Sequence, residues 1–360
     1  MSYSYEQAAE LIIKAGMELV EKGLISRTWG NISARLSDTE FLITPSGQAY
    51  DSLTPEKLVV VKIEDCSYQG QIRPSSEKGV HAQAYRYRPD VNFVVHTHQT
   101  FATALSVLGQ DVTDFDEEYR DILGDRIVCG QYAISSTKRL MKKMGKAIKH
   151  NLTSNGFLMR YHGVLCLGRD DRHAFAISEA MERIGGVILG KVTGEQMVSQ
   201  EGLRTSYEKK MGIDAEEHLD TEEIKKQLEQ RMPGGQWRCG FVSVHPMLCG
   251  YSKTGRVLRP MIDDMAQIVG TEISSVSFRD STEDIAQALG EQNALFVRGV
   301  GAFCMASSED DAKAVEQVLE KDLVCEMYAT LMGCRHPLGR LDAFFQRNVY
   351  LNKYSKQMSH

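Results

Sequence analysis

The sequence predicts an α/β chain in which a full domain is followed by a smaller, incomplete copy of itself. Two observations predict it. Apolar runs of strand length, such as Phe93-Val94-Val95, occur beside segments of helical periodicity, as in MSYSYEQAAELIIKAGMELVEKG at the start. In addition, NGFLMRYHGVLCLGRDDRHAFA from Asn155 aligns without gaps with NALFVRGVGAFCMASSEDDAKA from Asn293, sharing Asn, Arg, Gly, Cys and two Ala. The expected organisation is a complete domain over 1–195, a charged helical connector over 196–236, and a degenerate repeat over 237–360.

The opening segment has acidic side chains interspersed and no apolar stretch long enough for a signal peptide or a membrane span. It reads as the first helix of a cytoplasmic protein. Thr28-Trp29-Gly30-Asn31-Ile32-Ser33 and Thr44-Pro45-Ser46-Gly47 are small-residue turns whose backbone amides can cradle an oxyanion, although the same composition makes ordinary turns. Arg73-Pro74-Ser75-Ser76-Glu77 opens a helix, EKGVHAQAYRYR, with Ser75 or Ser76 as N-cap and Glu77 in the first turn. Free N–H groups and two hydroxyls at a helix start suit a phosphate. His81 lies one turn beyond Glu77 on the same face, as a supporting or simply buried histidine.

His96 and His98 end the apolar run. Side chains on a strand alternate faces, so an H-x-H pair there points both imidazoles the same way, within reach of one metal ion. His162, in FLMRYHGVLCLG, offers a third. Three protein ligands with an open position mark a working metal site, whereas structural sites are closed by four and are usually rich in cysteine.

Between His98 and the next strand, Asp116, Glu117 and Glu118 make a solvated, acidic stretch. The connector carries a helix around Asp220 to Arg231, stopped by Pro233-Gly234-Gly235. In the repeat, Val300 stands where the first copy has His162, and FVSVHP offers only His245, so this copy is not expected to bind metal. The eight cysteines show no CxxC and read as reduced thiols. A net charge of −6 argues against nucleic-acid binding through a general basic surface.

The ordered set GNIS at Gly30–Ser33, TPSG at Thr44–Gly47, PSSE at Pro74–Glu77, HTH at His96–His98 and YHG at Tyr161–Gly163 resembles the class II aldolase and adducin family over roughly residues 5 to 195. The resemblance implies a three-layer α/β/α fold around a mainly antiparallel sheet. It also implies that His96, His98 and His162 bind a divalent metal, and that Glu77 is the general base and a metal ligand before substrate arrives. Gly30, Asn31, Thr44, Gly47, Ser75 and Ser76 would then form the pocket for a substrate phosphate. Family aldolases further use a tyrosine, supplied across a subunit interface, to protonate the leaving group, and Tyr119 lies nearest its expected position. A homo-oligomer with active sites at its interfaces is therefore implied.

A metal held by three neutral imidazoles keeps most of its charge and can polarise ketose oxygens as a Lewis acid. A neighbouring carboxylate moving a proton contributes about 10²–10⁴-fold. These features favour reversible aldol cleavage of a ketose 1-phosphate to dihydroxyacetone phosphate and an aldehyde. The same scaffold hosts epimerases, dehydratases and decarboxylases of phosphorylated sugars or acids, and fold does not choose among them. A non-catalytic, adducin-like role sits poorly with the retention of all three histidines and Glu77. Zn²⁺ is the ion expected, though three imidazoles also accept Mn²⁺, Co²⁺ or Fe²⁺.

Overall fold

The structure, a computed structural model, describes residues 2–25, 29–213, 221–230 and 239–354. Its contacts form two compact units, one ending at Gly186 and the other beginning at Val187.

The first unit comprises α1 (Tyr5–Glu21), β1 (Asn31–Arg35), β2 (Glu40–Ile43), β3 (Val59–Lys62), α2 (Lys78–Tyr87), β4 (Phe93–Thr97), α3 (Thr100–Ser106), α4 (Arg120–Leu123), β5 (Val128–Gly130), α5 (Lys138–Lys149), β6 (Gly156–Met159), β7 (Gly163–Gly168) and the start of α6 (Asp171–Thr193). Ser4 and Gln7 cap α1 reciprocally: the Ser4 hydroxyl accepts from the Gln7 amide at 3.2 Å and the Gln7 side chain accepts from the Ser4 amide at 3.1 Å. The seven strands form one sheet in the order β3-β2-β1-β4-β7-β6-β5, antiparallel at every step except β5 with β6. This is the three-layer α/β/α fold expected. On one face Val94, Leu165, Leu167, Phe157 and Met159 pack with residues of α2 and α5, including Val80, Leu140, Met144 and Ile148. Each fully buried aliphatic or aromatic side chain of that kind contributes about 1.5–3 kcal/mol.

Strand β1 departs from this apolar pattern. Its alternate residues Asn31, Ser33 and Arg35 are polar and buried. They survive burial because partners are provided: the Arg35 guanidinium donates to the carbonyl oxygens of Val91, Tyr85 and Arg88 at 2.8, 2.9 and 3.0 Å.

The second unit continues α6 and adds α7 (Gln200–Met211), α8 (Thr221–Gln230), β8 (Cys239–Ser243), α9 (Pro246–Ser252), β9 (Ser275–Val276), α10 (Thr282–Leu289), β10 (Ala294–Val297), β11 (Gly301–Ala306), α11 (Glu309–Leu331) and α12 (Arg340–Val349). Its sheet runs β8-β11-β10-β9, with only β9 and β10 parallel. That is the order and sense of β4-β7-β6-β5. Small features recur as well. The Asn155 side chain donates to the Ile122 carbonyl at 2.9 Å, and that of Asn293 to the Ile268 carbonyl at 2.8 Å. Isolated bridges join Val112 to Ile127 and Leu258 to Ile273.

Within the segment expected as a connector, α7 buries Leu203 and Tyr207, and α8 places Ile224 and Leu228 in the core of the second unit with Val242, Val300 and Phe303. The expected helix stop at Pro233-Gly234-Gly235 lies outside the described residues. None of the eight cysteines is in a disulfide. Among the described residues no helix is long and apolar enough to cross a membrane.

Candidate metal centre

Register builds the site. His96 on β4 pairs with Asn31 of β1 on one side and Leu165 of β7 on the other. Because His96 and His98 share the face of Val94, both look toward the layer that contains α2. His162 ends the turn between β6 and β7, where Tyr161 takes a left-handed φ of 63° and the His162 amide donates to the Met159 carbonyl at 2.9 Å. Gly163 follows because a Cβ there would meet the Thr97 carbonyl oxygen at 2.4 Å. The chain thus crosses β4 closely enough to bring the third imidazole beside the first two. The His96 and His162 rings stack, with centroids 5.1 Å apart, and the His98 ring stands edge-on 4.6 Å from His162. One ligand nitrogen from each of the three lies within 4.8 Å of the others, the only such group of three among the described residues.

The donor chemistry fits a divalent cation. The His96 ring lies with Nδ1 2.7 Å from the Val164 carbonyl oxygen, which can only accept. A neutral His96 therefore carries its proton on Nδ1 and turns a lone pair on Nε2 into the site. Around that lone pair stand two more groups, His98 Nε2 at 2.9 Å and the Glu77 carboxylate at 2.9 Å. Acceptors gathered this tightly call for a proton or a metal ion between them. Two nitrogens bound tetrahedrally at about 2.0–2.1 Å from zinc lie roughly 3.3 Å apart, so small adjustments accommodate an ion. The carbonyl behind His96 is the usual outer support of a metal-binding imidazole.

Glu77 differs from expectation in one respect. It occupies the N-cap position of α2 instead of the first turn, and its side chain makes no capping bond. Its carboxylate reaches His96 at 2.9 Å and His162 at 3.1 Å instead. Burial raises its pKa, but its close contacts with His162 and His96 outweigh burial and hold the carboxyl well below the ordinary range.

The start of β1, the Thr44–Gly47 turn and the start of α2 converge beside this cluster; Asn31, Ile32 and Ser33, expected in a turn, lie on the strand because they pair with β4. The Ser75 amide donates to the Thr44 carbonyl at 3.0 Å, the Ser46 amide to the Arg73 carbonyl at 2.9 Å, and the Ile32 amide to the Thr44 hydroxyl at 3.2 Å. Gly30 has φ 115°, and a Cβ on it would lie 2.6 Å from the His96 carbonyl oxygen, so only glycine lets this turn approach the metal strand. Gly47, at φ 72°, closes the second turn. Asn31, Thr44 and Ser75 are buried. Ser76 extends the constellation to Ser136, its hydroxyl 2.8 Å away at the approach to α5. Ser136 was not among the residues expected; the Ser135-Ser136-Thr137 run just before a helix is the signal that points to it.

Tyr119 closes a short 3-10 turn at Glu117–Tyr119, ahead of α4. Burial raises its pKa, Arg183 opposes that shift, and Glu118 and Asp116 add to it. The phenol is thus protonated at neutral pH. Among the described residues, no hydrogen bond, ion pair or ring contact joins it to the histidines of its own chain.

The family model for the class II aldolase and adducin N-terminal domain matches residues 10–189. An L-fuculose 1-phosphate aldolase is 29% identical, over 56% of this chain and 95% of its own, with a TM-score of 0.48. The L-fuculose-1-phosphate aldolase of Thermus thermophilus is 27% identical, over 51% of this chain and 93% of its own, at 0.44. A Klebsiella pneumoniae protein described provisionally as an aldolase/epimerase/decarboxylase is 25% identical, over 56% and 98%, at 0.49. With half of its length matched by the family model around a three-histidine cluster, the chain belongs to the class II aldolase and adducin family.

Proposed function

We propose that this protein is a metal-dependent lyase that cleaves a ketose 1-phosphate reversibly to dihydroxyacetone phosphate and an aldehyde. The observation that carries the reading is Glu77, a buried and ionised carboxylate held at 2.9 and 3.1 Å from two of three convergent histidines. His96, His98 and His162 would hold the ion, which supplies Lewis-acid polarisation of the substrate oxygens. Gly30, Asn31, Thr44, Gly47, Ser75 and Ser76 hold the phosphoryl group through backbone amides, hydroxyls and a carboxamide.

In cleavage, the bond between the carbon next to the ketose carbonyl and the hydroxyl-bearing carbon beyond it breaks. The hydroxyl gives its proton to the oxygen of Tyr119 of a neighbouring subunit, which releases its own to water, and becomes the aldehyde oxygen. The electron pair stays with the ketose fragment, whose carbon takes a proton that the Glu77 carboxylate has drawn from water. In condensation each transfer runs in reverse: Glu77 removes the carbon-bound proton and Tyr119 protonates the aldehyde oxygen. Glu77 suits both directions because it is buried, fixed and flanked by imidazoles that favour its charge.

The test is a screen of metal-loaded protein against a panel of ketose 1-phosphates, read by the appearance of dihydroxyacetone phosphate. Product from one stereoisomer well above the others supports the reading and names the aldehyde. No product from protein shown to hold its metal overturns the aldolase assignment.

A further inference from the structure

His81 has no part in that scheme, yet it is fully buried on α2 and spans two side chains of β1. Its Nδ1 lies 2.7 Å from the Ser33 hydroxyl oxygen and its Nε2 2.5 Å from the Asn31 side-chain oxygen. The Ser33 hydroxyl lies in turn 2.7 Å from that of Tyr85. Burial, with a smaller contribution from His96, pushes the His81 imidazolium down to about 3, so the ring is neutral. A neutral imidazole donates from one nitrogen and accepts at the other. The row Tyr85, Ser33, His81, Asn31 can therefore be wired in only two directions.

The Asn31 end of the row selects one. The Asn31 side-chain oxygen, which can only accept, faces His81 Nε2, so that nitrogen carries the proton. The Tyr85 proton is then directed to Ser33, the Ser33 proton to His81 Nδ1, and the His81 proton sits on Nε2 and is donated to the Asn31 oxygen. The reverse wiring would turn the Asn31 amide over and point its oxygen, an acceptor, toward the groups that offer amides and hydroxyls to an anion.

We propose that His81 is a positioning residue acting through Asn31: it clamps the carboxamide oxygen, so that the amide Nδ2–H₂ is presented to the substrate's phosphoryl group. The identity of that anion rests on the function proposed above; the wiring does not.

Two measurements separate these claims. Nitrogen-15 NMR of the histidines in the full chain, with the His81→Gln variant identifying the signal, is expected to show His81 neutral and protonated on Nε2. A proton on Nδ1, or an imidazolium at neutral pH, overturns the proposal whatever the enzyme turns over. Calorimetry with inorganic phosphate on metal-loaded protein is expected to show His81→Leu binding roughly ten- to a hundredfold more weakly, the loss of one oriented bond to a charged group. His81→Gln, which can both donate and accept, is expected to recover most of that loss. In an Asn31→Ala background His81→Leu should add nothing. Against ketose 1-phosphate, the loss should appear in KM with kcat little changed. Should His81→Leu fail to fold, Ser33→Ala is expected to weaken phosphate in the same direction with metal content intact. Additive losses, or a fall in kcat at constant KM, overturn the proposal. If the wild type binds phosphate by this cycle but forms no dihydroxyacetone phosphate, only the assigned reaction falls.

Discussion

The two units place different chemistry on the same backbone. In the first, His96 pairs with Leu165; in the second, Val242 pairs with Phe303, the residue that aligns with Leu165 in the repeat. His96, His98 and His162 thus correspond to Val242, Val244 and Val300. Val242 and Val300 are fully buried in the core of the second unit, with Val244 packed against it. The repeated portion starts at the strand corresponding to β4, so it also lacks counterparts of the turns and of the helix start that carries Glu77. The difference teaches that strand order and pairing only bring three positions together. What occupies them decides whether the place is an ion site or apolar core.

The sharpest way to break the comparison is to remove a ligand from the first unit. His98→Ala is expected to lose bound metal, measured by atomic emission, and to cost roughly three orders of magnitude or more in turnover, the several kcal/mol a Lewis-acid ion supplies. Glu77→Gln should keep its metal and lose about 10²–10⁴-fold in turnover; turnover at the wild-type rate would contradict the role given to this carboxylate. A histidine restored to only one place in the second unit should do the opposite. Val300→His is expected to lower stability by about 1–3 kcal/mol in urea denaturation, through burial of a polar ring without partners. Bound metal should stay the same, and a gain in metal would show that the second unit keeps more of the site than its valines suggest.

The smallest effect concerns pH. On α11, burial and the nearby Glu316 push the Glu320 carboxyl from an ordinary 4.5 up to about 7, with His245 Nδ1 3.6 Å away. A raised carboxyl pKa means that the folded state holds the proton more tightly. Stability is therefore lost as pH rises from about 4.5 through about 7, by at most roughly 3 kcal/mol. Glu320→Gln should flatten that slope in denaturation at pH 5 and pH 8. An unchanged slope would assign the pH dependence elsewhere.

The metal cluster was legible in the sequence because strand alternation makes H-x-H a one-sided pair, and because the motif carrying His162 repeats at Asn293 with the histidine missing. The helix start before α2 was legible too, but not that Glu77 would sit at the N-cap with its carboxylate aimed away from the helix; that requires knowing where the imidazoles lie. The His81 network was hidden for a similar reason. Asn31, Ser33 and His81 meet only through the stacking of α2 on β1, which no local pattern encodes. The segment over 196–236 looked like a solvated connector because its composition is dominated by charge. Ile224 and Leu228 sit in the second core and Leu203 and Tyr207 are buried as well, Tyr207 against Tyr251, and so few apolar positions barely alter the average.

Gly163 has a counterpart that changes how the YHG motif should be weighed. A Cβ on Gly301 would lie 2.0 Å from the Ser243 carbonyl oxygen, as close a conflict as the one at Gly163. The glycine thus stands in both units, beside a histidine in one and a valine in the other, because the crossing of two backbones demands it with or without an ion. Across a collection of such chains, this glycine would report ancestry of the scaffold. The residue before it would report whether the chemistry survives.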